Sequence, residues 1–384
     1  MTRPIRLAVV SDAVHPWHTG GKETRYEQLL KRLPGLNVEV TVYTMRWWDG
    51  DAPVGALKHR ALSRRYEMYT DNRRSMLQGI LFALACFKLM FIGRYDVIEA
   101  DHMPYLQLFP LRIVAWVRRV PLVVTWHEVW GPKYWGEYLG GIAGRIAAMI
   151  EQLATKLPDH IVAVSTGTAD RLNELGVTKS RVSVLWAGVN VEQLDTITAE
   201  VNSPEVLFAG RLLQHKRVDL VLDAIAQLRS EGSRYSVGII GEGPERERLE
   251  AMSTELGVSD QTTFLGALEE VEEVWAYMKG ARVFAFPSER EGFGLAVAEA
   301  LASGTPSIVV DHKSNASREL VDEGVTGNII TTGNVGELAE AIRFWVEHPN
   351  EHHMQGLRFE ERHPHLSWDG LAERYAALLN EVTR

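Results

Sequence analysis

Residues 288–306 hold the chain's most chemically suggestive spacing: Glu291, a turn on Gly292 and Gly294, then Glu299 inside an Ala/Leu-rich segment. A strand-like run at 282–287 leads in, so the segment after the turn is expected to open as a helix. Its first backbone amides, with no partner inside the helix, then face an anion at the strand end. Two carboxylates beside such amides suit a ligand carrying both hydroxyls and phosphates, and a nucleotide sugar fits that description. Arg211 and Lys216 follow another strand-like run (206–210) and precede a segment that turns helical near Val218. Breaking a sugar–phosphate bond builds negative charge on the leaving diphosphate. Arg can bind its oxygens as a fork, and Lys can supply a point charge. His215 and Arg217 read as surface neighbours of that pair. Gly20 and Gly21 follow the first strand-like run, where missing side chains let a diphosphate approach backbone amides.

The elements that must position these groups are legible as short β-branched runs alternating with longer helical patterns. Strands are expected at 5–10, 38–44, 97–100, 122–125, 160–164 and 182–186, and again at 206–210, 236–240, 262–265, 283–286 and 306–310. Continuous apolar strands separated by helices indicate parallel sheets covered on both faces. Each candidate group directly follows a strand, where open parallel sheets bind ligands.

Several motifs together resemble the retaining glycosyltransferases of family 4. Glu291 and Glu299 match that family's E-x7-E signature, and Gly20-Gly21-Lys22-Glu23 its N-terminal glycine loop. Thr125-Trp126-His127-Glu128 matches a T-x-H-[DE] strand end, Ala209-Gly210-Arg211-Leu212 with Lys216 a G-R-x(4)-K element, and Gly241-Glu242-Gly243-Pro244 a G-x-G-P turn. The motifs occur in family order over about residues 5–380. The resemblance implies the α/β GT-B fold: two doubly wound, Rossmann-like domains facing a central cleft, with a linker that permits closure. The expected division is 1–187 for the acceptor-side domain, 188–365 for the nucleotide-sugar domain, and 366–384 for a final helix crossing back onto the first.

It also implies roles. Glu299 would hold the ribose diol and Glu291 the hydroxyls of the donor sugar. Phe293, Gly294 and Leu295 would contribute backbone amides, and the neighbourhood of Gly241 and Leu268 would contact the base. His127 would lie beside the transferred sugar and position it. The family's proposed route is front-face attack with retention, the leaving phosphate assisting deprotonation of the acceptor. Glu128 stands where the family commonly has Asp, and residues 312–318 (HKSNASR) depart from its small Gly-rich loop, which leaves donor-sugar contacts from that loop open.

At 384 residues two domains are the default. A net charge of −9 argues against nucleic-acid binding. The one cysteine, Cys86, permits no intrachain disulfide and fits a reducing compartment. Residues 1–10 run into a strand without a signal-peptide pattern, so a cytoplasmic protein is expected. Residues 76–93 form the most lipid-like segment. Gln78 and Lys88 interrupt it, and it falls short of the roughly 20 apolar residues that span a bilayer. A buried helix is expected there, while Arg73, Arg74, Lys88 and Arg94 leave room for peripheral contact with anionic lipid at the inner face of a membrane.

Tryptophans Trp17, Trp47, Trp48, Trp130 and Trp135 fall in expected loops and are acceptor-site candidates, whereas Trp116 and Trp126 read as packing residues. No D-x-D is placed after a strand as a Mg²⁺–diphosphate site would want. No metal or other cofactor is therefore expected, Arg211 and Lys216 taking the ion's part. The donor is expected to be a UDP- or GDP-sugar, and the acceptor a glycan, a lipid-linked sugar or a small molecule. Donor sugar, linkage and oligomeric state stay open. So do two other classes: a non-catalytic nucleotide-sugar-binding protein, and an NAD-dependent dehydrogenase. The dehydrogenase would need G-x-G-x-x-G after the first strand, and Gly20-Gly21 does not supply that spacing.

Overall fold

The structure is a computed structural model that describes residues 3–52, 57–70, 73–349 and 363–384. It divides into two compact units, Met1–Gly188 with Trp368–Arg384, and Val189–Ser367.

The first unit is built on a seven-stranded parallel sheet. Its strands are β1 (Ile5–Val10), β2 (Val38–Met45), β3 (Lys58–Ser63), β6 (Val97–Asp101), β7 (Leu122–Trp126), β8 (His160–Ala163) and β9 (Val182–Val184), in the order β3-β2-β1-β6-β7-β8-β9. A short antiparallel hairpin, β4 (Tyr69–Thr70) and β5 (Arg73–Arg74), lies outside it. The side chains of Arg73 and Arg74 lie outside the described ones. Helices α1 (Gly21–Leu30), α2 (Met76–Cys86), α3 (Leu108–Arg118), α4 (Gly131–Leu139), α5 (Gly141–Ala154) and α6 (Thr166–Glu174) connect the strands. β6 and β7 are buried along their whole length; β7 accordingly reads as an apolar run, while β6 carries two buried acids, Glu99 and Asp101.

The second unit has a six-stranded parallel sheet in the order β12-β11-β10-β13-β14-β15. Its strands are β10 (Val206–Ala209), β11 (Val237–Ile240), β12 (Thr262–Gly266), β13 (Val283–Phe286), β14 (Ser307–Asp311) and β15 (Gly327–Thr331). Helices α7 (Val191–Thr196), α8 (Val218–Ser230), α9 (Arg246–Glu255), α10 (Val271–Gly280), α11 (Leu295–Ala302) and α12 (Val335–Glu347) accompany it. Phe286 of β13 stacks on Phe208 of the neighbouring β10 and on Phe284 of its own strand, ring centroids 5.5 Å apart in each pair. Each such fully buried ring contributes roughly 1.5–3 kcal/mol. The two sheets are the two Rossmann-like layers that the alternating pattern predicts.

Strand order reverses once in each sheet, between β1 and β6 in the first and between β10 and β13 in the second. Crevices at the carboxyl ends of strands open at such reversals. The groups picked out in the sequence cluster at both.

Helix α13 (Trp368–Val382) returns to the first unit and packs on α1. Its Tyr375 hydroxyl donates to Glu99, a fully buried carboxylate on β6 that also accepts from Tyr26 (2.9 Å) and Thr125. Burial pushes the Glu99 carboxyl up to about 7, partly offset by those three donors. A carboxyl raised on folding contributes most below its unfolded pKa, and that contribution is lost as pH rises through the folded value. Tyr375→Phe removes a donor to the ionised form. We expect it to cost about 1–3 kcal/mol, more above neutral pH than below it. Urea melts at two pH values check this, and a pH-independent loss would contradict the ionised-carboxylate account.

The structure differs from the sequence expectation at α2. Of the buried helix expected over 76–93, α2 buries Gln78, Gly79, Phe82, Ala83 and Cys86, while its Met76, Leu77, Ile80 and Leu84 are exposed. It continues in a 3₁₀ turn (Phe87–Met90). Composition marks the segment as mostly apolar but does not reveal its two faces. Trp135, expected in a loop, is a buried residue of α4.

Candidate functional site

In the second unit the loops after β10 and β13 meet at the strand-order reversal. The Glu289 amide donates to the His215 carbonyl (2.9 Å), and Arg217 pairs with Glu289 (2.5 Å) and Asp219 (3.0 Å). Lys216 Nζ lies 2.5 Å from Glu291 Oε1, both side chains being mostly buried, and 4.8 Å from the centre of the Phe286 ring. Arg211 is exposed at the start of the first loop. His215, expected as a surface neighbour, is half-buried, and its pKa is pushed down to about 2. Burial is the first cause, followed by the positive charges of Arg290, Lys216 and Arg211. The imidazole is therefore neutral at pH 7. Arg290 was missed in the sequence because nothing in its own loop distinguishes it; only the meeting of two loops does.

The turn after β13 is braced from β14. The Glu291 amide donates to the Ser314 carbonyl (3.0 Å), and the Ala316 amide to the Glu291 carbonyl (2.9 Å). Asn315, fully buried, accepts from the Ser317 amide (3.1 Å) and donates to the Val310 carbonyl (3.0 Å). The loop 312–318 that departs from the Gly-rich pattern thus fixes the backbone of Glu291. Gly294 at φ +93° begins α11, and a Cβ there would meet Ser317 at 2.3 Å. No side chain caps α11 and no acid occupies its first turn. The amides at Leu295 and beyond form the helix end of positive potential. Phe293 is buried, and Leu295 half-buried.

Glu299 is half-buried on α11, and its carboxyl is pushed up to about 7. Burial is the main cause, and the neighbouring Trp275 indole offsets part of it. A third loop closes the group. The Gly241 amide donates to the Gly266 carbonyl (2.7 Å), and any Cβ on Gly241 would sit 2.0 Å from the Gly210 carbonyl oxygen. Leu268 is half-buried in the turn after β12.

In the first unit, Gly20, Gly21 and His127 lie at the strand-order reversal and on the neighbouring strand end. Lys22 Nζ reaches Asp101 (3.2 Å), Glu23 (3.4 Å) and Asp12 (3.6 Å), bridging the ends of β1 and β6. Gly20 begins α1, again without a side-chain cap. A Cβ on Gly21 would meet nothing within 4 Å, so the fold itself does not demand a glycine there.

His127 is half-buried with its ring 5.8 Å from His102 and 5.9 Å from Tyr26. Burial, then the charges of its neighbours, holds it well below the usual histidine range, so it is neutral at pH 7. Among the described residues nothing hydrogen-bonds its buried Nε2. The loop that carries it is anchored by Glu151, which accepts from Tyr105 (2.7 Å), the Trp130 amide (2.8 Å), the Gly131 amide (2.7 Å) and the Trp135 indole (3.0 Å).

The Trp47 indole donates to the Asp12 carbonyl (2.9 Å), while Trp17 and Trp48 pack together at 5.5 Å. Asp49-Gly50-Asp51, a D-x-D that the sequence reading passed over, lies in the exposed loop after β2, its Gly50 carbonyl accepting from Arg46 (2.7 Å). Among the described residues no three His, Cys, Asp or Glu are grouped to hold a metal ion.

Two family models match the chain: "Glycosyltransferase Family 4" over residues 19–193 and "Glycosyl transferases group 1" over residues 192–360. The chain is 29% identical over 416 residues to a D-inositol 3-phosphate glycosyltransferase of Nocardia farcinica, covering 99% of this chain and 91% of the relative. Among solved structures it resembles a sucrose-phosphate synthase from Thermosynechococcus elongatus (TM-score 0.78, 19% identity, 98% and 99% of the two chains). It also resembles HepE of Anabaena, solved in complex with UDP (TM-score 0.74, 18% identity, 98% and 100% covered).

Proposed function

The chain belongs to the family 4, group 1 glycosyltransferases, and from that premise we propose that it moves a sugar with retention from a nucleoside diphosphate to an acceptor hydroxyl. The observation that carries the reading is the Lys216–Glu291 ion pair (2.5 Å) in two loops interlocked through the Glu289 amide and the His215 carbonyl, at the strand-order reversal of the second sheet and with Arg211 exposed beside it. A diphosphate there gains charge-assisted hydrogen bonds and the uncapped N-terminus of α11. Glu299 takes the ribose diol, and Glu291 the sugar hydroxyls. The Gly241 and Leu268 turns lie against the base.

In the step itself the bond between the anomeric carbon and the phosphate oxygen breaks. The acceptor oxygen bonds that carbon from the same face, and the acceptor's proton passes to the departing phosphate oxygen. Charge accumulates on the diphosphate, where preorganised cations are worth most. Neutral His127 donates or accepts a hydrogen bond at the sugar and does not attack it.

UDP is the first base to test, because HepE, which shares the fold, was solved with UDP. The acceptor is a polyhydroxyl compound, free or lipid-linked; the Nocardia relative is named for an inositol phosphate. Because fixed cations neutralise the leaving group, the reaction runs without a divalent metal. Slow acceptor-free hydrolysis of a panel of UDP- and GDP-sugars, with and without excess EDTA, tests both points. Hydrolysis of one donor that survives EDTA is expected. Loss on chelation restored by Mg²⁺ or Mn²⁺ would contradict the metal-free step, and no hydrolysis of any donor would favour a non-catalytic binding protein.

A further inference from the structure

Three helices of the first unit pack on the same core cluster through Phe82 and Cys86 (α2), Leu111 and Val114 (α3) and Ala154 (α5). The 3₁₀ turn Tyr105–Gln107 touches all three. Their outward faces are unusual for a protein surface. Phe91, just past the 3₁₀ turn that follows α2, is 86% exposed, Trp116 on α3 76% and Ile142 on α5 74%, with Leu77, Leu84 and Met149 also open. Large apolar side chains left exposed on three helices that share one core cluster point to an interaction site.

The charges around it are one-sided. Residues 76–94, 108–121 and 141–156 carry seven Lys and Arg and a single acid, in a chain whose net charge is −9. That acid, Glu151, is buried and saturated with donors. Arg112 is paired with Asp159, and Arg118 caps the Met90 and Gly93 carbonyls. Arg94, Arg119, Arg145 and Lys156 are exposed. No described helix is long and apolar enough to cross a membrane.

We propose that this face, formed by α2, α3 and α5, docks on an anionic lipid surface. Apolar side chains enter the headgroup boundary while flanking cations meet lipid phosphates. A second copy of the chain fits less well, because a two-fold contact would set basic residues against basic residues. The proposal does not rest on the donor site, but it would bring the first unit to lipid-linked acceptors.

Co-sedimentation with vesicles of phosphatidylcholine, with and without phosphatidylglycerol, tests it. Binding only to the anionic vesicles is expected, weakening as salt rises. Arg94→Gln and Arg119→Gln should each lower it by about fivefold, the equivalent of one surface charge. Trp116→Ser and Phe91→Ser should lower it further while leaving acceptor-free hydrolysis of the nucleotide sugar intact. Equal binding to both vesicle types, no binding, or binding unchanged in these variants would overturn the proposal. So would sedimentation velocity showing a dimer that Trp116→Ser abolishes. Vesicle binding is read without catalysis, so its failure leaves the donor-site reading standing.

Discussion

Replacing Lys216 or Arg211 with alanine is expected to lower the transfer rate by about 10²–10³-fold, the usual loss when one donor to a developing anion is removed. The two variants should differ in side effects. Lys216 holds Glu291 at 2.5 Å with both side chains mostly out of water, so Lys216→Ala also leaves a poorly solvated carboxylate without its partner. It should destabilise the protein as well as slow it. Arg211 is exposed, and its loss should cost rate alone. Lys216→Arg should recover stability better than rate, because a fork does not reproduce a point charge. Turnover and thermal melts of the three variants check this; near wild-type turnover in both alanine variants would remove the phosphate role.

The second large effect separates the two glutamates. Glu299→Gln is expected to weaken binding of the free nucleoside diphosphate, whereas Glu291→Gln should spare it and damage turnover. The Glu299 carboxyl titrates at about 7 because it is buried, and ribose hydroxyls donate to its ionised form. Binding should therefore release a proton from it and strengthen as pH rises through neutrality. That part of the pH dependence should vanish in Glu299→Gln, leaving only the titration of the nucleotide. Calorimetry with UDP alone across pH reads it, and equal losses in the two variants would mean the roles are misassigned.

The fold was largely legible because parallel strands buried on both faces leave uninterrupted apolar runs. β1 and β13 begin and end where the sequence places them, and α8 starts at Val218 as expected. Strand β3 escaped because it is an edge strand, and Lys58-His59-Arg60 carries no apolar run. β15 escaped because Gly327 and Asn328 at its start read as a turn.

At the site, the sequence picks out the residues that announce themselves by local spacing: Glu291, Glu299, Arg211, Lys216, Gly20, Gly21 and His127. It does not pick out those defined by distant partners. Arg290 and His215 matter because the loops after β10 and β13 interlock, and Asn315 because it fixes the backbone opposite Glu291. Lys22 gathers Asp12 and Asp101 across a strand-order reversal. No spacing within one loop encodes such contacts. Family membership removes the dehydrogenase alternative, which the spacing after β1 already disfavoured.

The central claim is that the second unit binds the donor's diphosphate through Arg211 and Lys216. The most direct test is calorimetric titration of UDP, then GDP, into the wild-type chain, Arg211→Ala and Lys216→Ala. The account predicts saturable binding of one nucleotide to the wild type, a clear loss of affinity in each variant, and weaker binding as salt rises. Unchanged affinity in both variants, under conditions where both remain folded, would contradict it.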